Sequence, residues 1–197
     1  LSQNLFSFDE EKRLNTIDYE TFFNKIITDG GFEAVIGNPP YSLIGSDRKI
    51  EQLYFTSGRY KLTSYKINTY LLFLEKALNI IKKETGVMGF IIPKSLVFNT
   101  FFQSTRKKLL EEYSIPQIVE IREKVFVDAE VGDSILFFGE RKSRQLENEL
   151  SYFKVKNITP TFEIIKSSKT SQKKLLSNYD GRFFASGISL KSGTEQL

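Results

Sequence analysis

The sequence of 197 residues contains no cysteine, no histidine and no tryptophan. Without cysteine, the chain has neither a disulfide framework nor thiolate chemistry. Without histidine, it cannot perform serine–histidine hydrolysis, hold zinc through imidazole ligands or use an imidazole as a general base. Any chemistry must therefore rely on carboxylates, amides, tyrosines, backbone groups or a bound cofactor.

Long apolar runs are also missing, since no stretch approaches the roughly 20 residues of a membrane helix. The segment LSQNLFSFDEEKR at the start lacks the basic and apolar regions of a signal peptide, so we expect a cytoplasmic protein with no membrane partner. The composition is that of a globular domain, with 40% hydrophobic and 26% charged residues. The net charge of +4 is a mild indication of a polyanionic partner.

Apolar runs alternate with amphipathic segments along the chain. Four runs have the length and composition of strands, the first of a buried type: 32–37, 87–93, 115–121 and 133–141. This order predicts an α/β fold, with part of a doubly wound Rossmann-like sheet that an antiparallel hairpin closes at one edge. Ligands of such sheets bind at the carboxyl ends of the strands, so the loops after the first two strands should face one crevice.

Two longer segments have helical periodicity. In residues 68–86 the apolar stripe should be buried and Gly86 should cap the helix; the stripe consists of Leu71, Leu74, Leu78 and Ile81. Residues 99–113 predict a second helix with Asn99 as its N-cap. A shorter helix before the first strand should end at Gly30 and Gly31.

The sequence NPPY, residues 38 to 41, follows the first strand directly. Asn38 precedes a proline and is therefore extended, while Pro39 and Pro40 have a fixed φ and no N–H. The turn is stiff, and it presents the Asn38 amide, the Pro39 carbonyl and the Tyr41 ring. Two acceptors beside an aromatic ring suit a planar group that carries an –NH₂, such as adenine. In the simpler alternative, the same residues only end the strand.

Methylation of adenine is chemistry that such a turn can support. The exocyclic nitrogen is a poor nucleophile, because its lone pair is delocalised into the ring. If Asn38 and the Pro39 carbonyl accept its two hydrogens, the nitrogen can pyramidalise and direct the lone pair at an incoming methyl group. No general base is needed before the transfer, which suits a chain without histidine. Tyr41 would stack on a base that has been flipped out of the duplex.

In its context, the motif resembles that of the adenine-specific amino-methyltransferases of restriction–modification systems. The resemblance covers about residues 30–141, in GFEAVIGNPPY, in the helix–strand–helix that begins KINTYLLFLEK and in IVEIREKVFVDAEVGDSILFFGER. It implies that Asn38 and Pro39 hold the amino group and that Tyr41 and Phe126 enclose the flipped base. It further implies S-adenosyl-L-methionine as cofactor, double-stranded DNA as substrate and site-specific methylation at adenine N6.

One part of the family pattern is absent from the chain. The family binds S-adenosylmethionine mainly through a glycine-containing loop and an acidic residue that lie upstream of NPPY. The resemblance therefore implies that residues 1–141 are the catalytic half of the domain and that an upstream part of the same protein supplies the cofactor loop. Gly37 and Asn38 would touch the cofactor from below. We expect this chain alone to be inactive, and residues 142–197 to be a linker that leads into the target-recognition region.

The segment 42–64 has no clean period and predicts a long loop. It carries Arg48, Lys49, Arg59 and Lys61, which we expect to contact DNA phosphates. A solvated loop is the alternative. If the contacts form, charge reversal at these four positions should weaken DNA binding and lower its dependence on salt.

Three alternatives are compatible with the same residues. An NPPY methyltransferase could act on RNA or on a protein glutamine, because both present an –NH₂ on a planar group. Only a base needs a second aromatic ring, so Phe126→Ala should cripple a base methylase and barely affect a protein methylase. The N4 amino group of cytosine is also a chemically possible target, although family members that methylate it more often begin the motif with Ser. A non-catalytic DNA-binding module would tolerate Asn38→Ala.

Overall fold

The computed structural model describes residues 18–44, 60–62, 67–121, 134–156, 163–177 and 183. The strands in these ranges are β1 Ala34–Gly37, β2 Leu43–Ile44, β3 Ile67–Asn68, β4 Val87–Pro93, β5 Ser114–Ile121, β6 Ser134–Glu140, β7 Glu149–Val155 and β8 Ile164–Ser171. The α-helices are α1 Tyr19–Phe22, α2 Asn24–Thr28, α3 Thr69–Ile80, α4 Ser95–Phe98, α5 Gln103–Glu112 and α6 Gln172–Ser177. Short 3₁₀ turns form at Thr100–Phe102 and Gln145–Glu147. None of these helices has the length and hydropathy that a membrane span requires.

A mixed sheet of six strands, in the order β1-β4-β6-β5-β7-β8, forms the centre of the fold. β1, β4, β5 and β7 run in one direction, and β6 and β8 run against them. β2 and β3 form a separate antiparallel pair. The predicted α/β class, with a partly parallel sheet and crossover helices, is confirmed.

The antiparallel partner of β5 lies inside the sheet. β4 and β5 do not pair with each other. β6 lies between them and pairs antiparallel with both. The predicted antiparallel pair is therefore present, but it does not form the edge, because β7 and β8 continue the sheet beyond β5. The strands Glu149–Val155 and Ile164–Ser171 thus contribute to the same sheet, while the assignment of 142–197 to a linker and target-recognition region stays a prediction.

The main core lies between one face of the sheet and the helices α3 and α5. The predicted stripe of α3 is confirmed, since its four members are at most 1% exposed: Leu71, Leu74, Leu78 and Ile81. α3 ends at Ile80 instead of Gly86, because Ile81 leaves the helix and forms a parallel bridge with Phe32. Asn99 caps the 3₁₀ turn Thr100–Phe102, since its side chain accepts from the Phe101 N–H at 2.9 Å, but α5 itself begins later, at Gln103, with Phe102 as its N-cap.

The first strand is less covered than its composition predicts. β1 pairs with β4 on one side, and no other strand of the described residues pairs with it. Val35 packs against the core, whereas Ile36 is 86% exposed on the opposite face. The prediction of a buried strand is therefore wrong for β1 within the described part of the chain. Its pairing with β4 nevertheless fixes the position of the turn that follows.

Candidate active site

The NPPY turn leaves the carboxyl end of β1. The β1–β4 pairing stops with Gly37 opposite Phe90. A Cβ atom at Gly37 would lie 3.2 Å from the Phe90 ring, so glycine allows this close approach of strand and ring. Pro39 is buried, whereas Asn38 and Pro40 are exposed. The turn therefore presents the Asn38 amide from a fixed strand end.

The Asn38 and Tyr41 side chains contact each other across the turn. The Tyr41 hydroxyl lies 2.8 Å from Asn38 Oδ1 and 2.8 Å from the backbone carbonyl oxygen of Ile91 in β4. Among the described residues, the Asn38 amide has no other hydrogen-bond partner. The amide is thus held on one side and open on the other.

The two proline carbonyls differ in their partners. Thr69, the first residue of α3, has its Oγ1 2.5 Å from the Pro40 carbonyl oxygen and 3.1 Å from that of Ser42. The Thr69 N–H also donates to Ser42 at 2.9 Å. No donor within the described ranges reaches the Pro39 carbonyl. Among the described residues, the Pro39 carbonyl is therefore left without a donor, whereas the Pro40 carbonyl has one.

The Tyr41 ring is half-buried and rests on a row of aromatic side chains. It meets the Tyr70 ring edge-on, with 6.3 Å between centroids and 87° between planes. Tyr70 in turn contacts Phe102 at 6.1 Å. Burial raises the pKa of the Tyr41 phenol to about 12, so its hydroxyl keeps its proton at neutral pH.

A cavity of about 290 Å³ opens beside the turn. Residues 35–40 form one wall, together with Phe90. The opposite wall is largely apolar and aromatic, and it consists of Tyr19, Phe73, Lys76, Ala77 and Ile80. Lys76 Nζ lies 5.0 Å from the centre of the Tyr19 ring. A ligand in this cavity would touch Gly37 and Asn38 directly.

Lys61 is the member of the predicted basic set that the structure describes. Its side chain is exposed, but its backbone is fixed between two helices. The N–H groups of Lys61 and Leu62 donate to the buried Glu75 carboxylate of α3, at 2.7 and 2.8 Å. Lys108 of α5 donates to the Lys61 carbonyl at 2.5 Å. These contacts fix the end of the predicted basic loop.

The remaining predicted site residues lie outside the described residues. This applies to the basic residues Arg48, Lys49 and Arg59, and to the second stacking residue, Phe126. Their roles stay predictions. The structure does bring Asn38 and Tyr41 into direct contact, with Pro39 and Pro40 between them.

A buried ion-pair cluster lies near the carboxyl end of β5 and escaped the sequence patterns. Glu120 is 4% exposed and accepts from Lys94 at 2.8 Å and from Lys154 at 2.7 Å. The Tyr152 hydroxyl donates to its second carboxylate oxygen. Burial raises the pKa of Glu120, but the hydrogen bonds from Lys154, Lys94 and Tyr152 outweigh it and hold the pKa at about 2. The cluster joins β5, β7 and Lys94, the residue that directly follows β4, at the edge from which NPPY also emerges.

Two curated proteins are similar to large parts of the chain. A protein of Methanocaldococcus jannaschii described as a type II restriction enzyme and methyltransferase is 24% identical over 177 residues, which cover 89% of this chain and 14% of that protein. The Escherichia coli type II restriction enzyme and methyltransferase RM.Eco57I is 24% identical over 134 residues, which cover 66% of this chain and 13% of that protein. The chain thus spans about one seventh of the relatives that it matches.

Solved structures share the fold. The type IIG restriction endonuclease BpuSI superposes with a TM-score of 0.56 at 18% identity, over 76% of this chain and 20% of that one. A class I S-adenosylmethionine-dependent methyltransferase from Listeria monocytogenes gives a TM-score of 0.52 at 15% identity, over 66% and 38% of the two chains. At these identities the likeness is one of fold, that of the Rossmann-like class I methyltransferases.

A family model agrees with the motif, the sheet and these similarities. The model of the Eco57I restriction-modification methylase matches residues 1–126 of the chain. This region contains the NPPY turn, the strands β1, β4 and β5 and the helices between them. The chain therefore belongs to the Eco57I restriction-modification methylase family.

Proposed function

We propose that this chain carries the catalytic half of a site-specific DNA adenine-N6 methyltransferase in a restriction–modification system. One observation carries the proposal: the turn at the end of β1 contains both the exposed Asn38 amide and the carbonyl of the adjacent Pro39, which has no donor among the described residues. Two acceptors at a rigid strand end suit the two hydrogens of an adenine amino group. Membership of a restriction-modification methylase family supports DNA as the substrate.

Asn38 and Pro39 act on the target by orientation. The two oxygens accept the amino hydrogens, and the nitrogen lone pair becomes localised and directed away from the base plane. With S-adenosylmethionine bound, this lone pair would point at the methyl group; transfer would break the S–CH₃ bond and release the neutral thioether, and the ammonium-like nitrogen would then lose a proton to water. This sequence needs no side-chain base, in agreement with a chain that has no histidine.

Stacking on Tyr41 stabilises the flipped base on one face, and Phe126 covers the other face. Flipping a base out of a duplex costs a few kcal/mol, and each stacking contact returns roughly 1–3 kcal/mol. Tyr41 can serve as a stable support because Tyr70 fixes the position of its ring. Arg48, Lys49, Arg59 and Lys61 hold the neighbouring phosphates, which positions the duplex without reading its sequence.

S-adenosylmethionine is the cofactor of this proposal, and it supplies an electrophilic methyl group when it is bound. The cavity beside the turn fits one end of such a molecule, since Gly37 and Asn38 line it and Tyr19 and Phe73 give it aromatic walls. This sequence lacks the glycine-containing cofactor loop of the family, so we expect the cofactor to need further contacts from outside these residues. The isolated chain is therefore inactive, and a DNA substrate places the protein in the cytoplasm.

Asn38→Ala tests the proposal in the complete protein, expressed in cells that lack other DNA methylases. Mass spectrometry of the DNA nucleosides should detect N6-methyladenine for the wild type. Asn38→Ala should lower its rate of formation roughly 100-fold or more, because a directed acceptor of the transition state is lost. Asn24→Ala is the matched control, since this exposed asparagine lies in α2 and outside the turn.

The other outcomes of the same experiment are distinct. N4-methylcytosine in place of N6-methyladenine would assign the site to the other amino-bearing base. Unmodified DNA together with methylated RNA or protein glutamine would replace DNA as the substrate. Wild-type levels of methylation in Asn38→Ala would contradict a catalytic role of the turn.

A further inference from the structure

The Tyr41 hydroxyl lies between two oxygen atoms, although it carries a single proton. Both Asn38 Oδ1 and the Ile91 carbonyl oxygen are 2.8 Å away. A hydroxyl proton forms a well-aligned hydrogen bond with one acceptor at a time. With two acceptors in place, one of the contacts brings together two oxygen atoms with no proton between them. The hydroxyl and both of its partners are all hydrogen-bonded only if one partner donates a proton to the Tyr41 oxygen while the other accepts from it.

The Ile91 carbonyl is the partner that cannot change. It lies one position beyond the last β1–β4 pair, Gly37 and Phe90, and the prolines that follow Asn38 have no N–H with which to extend the ladder. Tyr41 therefore takes the place of a missing ladder donor. Since burial raises the pKa of its phenol to about 12, Tyr41 remains a donor at the pH values at which DNA stays duplex.

The Asn38 amide is the partner that can change. Its oxygen and its NH₂ group exchange places through a half-turn of the terminal torsion, with no movement of the backbone. After this half-turn, Nδ2–H donates to the Tyr41 oxygen while Tyr41 donates to Ile91. The amide oxygen then lies on the side away from Tyr41, on a residue that is exposed.

We propose that the Tyr41 hydroxyl is a positioning group that fixes the Asn38 amide with its oxygen directed at the target amino group. The inference rests on the proposed function, because only an –NH₂ substrate needs an acceptor at this place. In the opposite orientation the amide would present N–H donors to an amino group that is itself a donor. Tyr41 therefore has two separable parts, a ring that stacks and a hydroxyl that orients.

Tyr41→Phe separates these two parts, because it keeps the ring and removes the hydroxyl. The test uses the complete protein and a duplex that contains the site methylated by the wild type. Single-turnover methylation should slow roughly tenfold, as expected for the loss of one orienting hydrogen bond. The dissociation constant for DNA and the fluorescence of 2-aminopurine at the target position should stay at wild-type values. Tyr41→Ala should lower the 2-aminopurine signal as well, since it removes the ring.

Asn38→Asp provides the matched control, because a carboxylate has two equivalent oxygens and needs no orientation. In the Asn38→Asp background, adding Tyr41→Phe should change the rate by no more than about twofold. An equal tenfold loss in both backgrounds would overturn the inference, and so would a wild-type rate for Tyr41→Phe. If the wild type forms no N6-methyladenine, the proposed function fails and the inference falls with it. Equal thermal unfolding midpoints confirm that the variants are folded.

Discussion

At the scale of single residues, two hydroxyl groups hold the NPPY turn in place. The Tyr41 hydroxyl connects the turn to β4 through the backbone carbonyl oxygen of Ile91. The Thr69 hydroxyl connects the end of the turn to the start of α3 through the carbonyl oxygens of Pro40 and Ser42. The turn is therefore fixed by elements that follow it in the chain, and the prolines alone do not determine its position.

Thr69→Val tests the second attachment, because valine keeps the branched shape and removes the hydroxyl. We expect the free energy of unfolding to fall by about 1–2 kcal/mol, because the Pro40 carbonyl loses its donor, whereas the Ser42 carbonyl keeps the Thr69 N–H. The methylation rate should fall several-fold, since Pro40 is released next to the acceptors. Denaturant titration and the methylation assay measure the two effects. Thr69→Ser should stay near the wild type, and equal behaviour of the valine and serine variants would contradict the role of the hydroxyl.

The sequence predicts the residues of the turn but not what holds them. The residues from Asn38 to Tyr41 are consecutive, and the stiffness of the prolines follows from their covalent structure. The contact with Ile91 involves a backbone carbonyl, which every residue type has, so no pattern can indicate it. Glu120 meets Lys94 and Lys154 only because of the order of the strands, which hydrophobic periodicity does not specify.

At the scale of the elements, the connection from α2 to β1 depends on two glycines with different requirements. Gly30 and Gly31 both have a positive φ, of 98° and 118°. A Cβ atom at Gly31 would lie 2.4 Å from the Ile80 carbonyl oxygen, whereas at Gly30 the nearest atom would be Cγ of Lys82 at 3.8 Å. Backbone conformation thus selects glycine at both positions, and close packing against the end of α3 selects it again at Gly31.

Gly31→Ala should therefore destabilise the protein more than Gly30→Ala. Either substitution costs about 1–2 kcal/mol, because a Cβ atom is unfavourable at positive φ. Gly31→Ala should cost roughly a further 1–3 kcal/mol, because backbone atoms of α3 must move to admit the methyl group. Chemical denaturation of the two variants measures the difference. Equal losses would show that the close approach is unimportant.

Element by element, local patterns predict the helices better than the arrangement of the strands. The stripe of α3 follows the 3.6-residue period and is buried as predicted. The predicted end of α3 is wrong, because the bridge between Ile81 and Phe32 is a long-range contact that outweighs local helix propensity. Ile36 is exposed because no described element packs over the face of β1 opposite Val35, which composition does not reveal.

At the scale of the whole molecule, Glu120 links β5 through charge to β7 and to Lys94, the residue that follows β4. Its pKa is lowered from 4.5 to about 2, so the carboxylate form is favoured in the folded state. A carboxylate whose pKa is lowered by folding stabilises the folded state at pH values above its pKa in the unfolded chain. This stability is lost as the pH falls from about 4.5 towards 2. The stabilisation is on the order of 3 kcal/mol, at about 1.4 kcal/mol for each unit of pKa.

Glu120→Gln should remove this pH dependence. We expect the variant to be less stable than the wild type at pH 7, because Lys94 and Lys154 lose their buried partner. Between pH 5 and 2 its free energy of unfolding should fall less steeply than that of the wild type. Denaturant titrations across this range provide the measurement, with the exposed Glu163→Gln as control. Parallel slopes for Glu120→Gln and the wild type would contradict the role of the ion pairs.

The long reach of the Tyr41–Ile91 contact has a consequence for the order of folding. Asn38 to Tyr41 are consecutive, but the carbonyl that anchors them lies 50 positions after Tyr41. The entropy of closing that length of chain must be overcome before the contact can form. During synthesis the motif therefore leaves the ribosome well before β4, the strand that gives it shape. The turn acquires its geometry late, when the sheet assembles, and a nascent chain that ends before β4 carries the complete motif without that geometry.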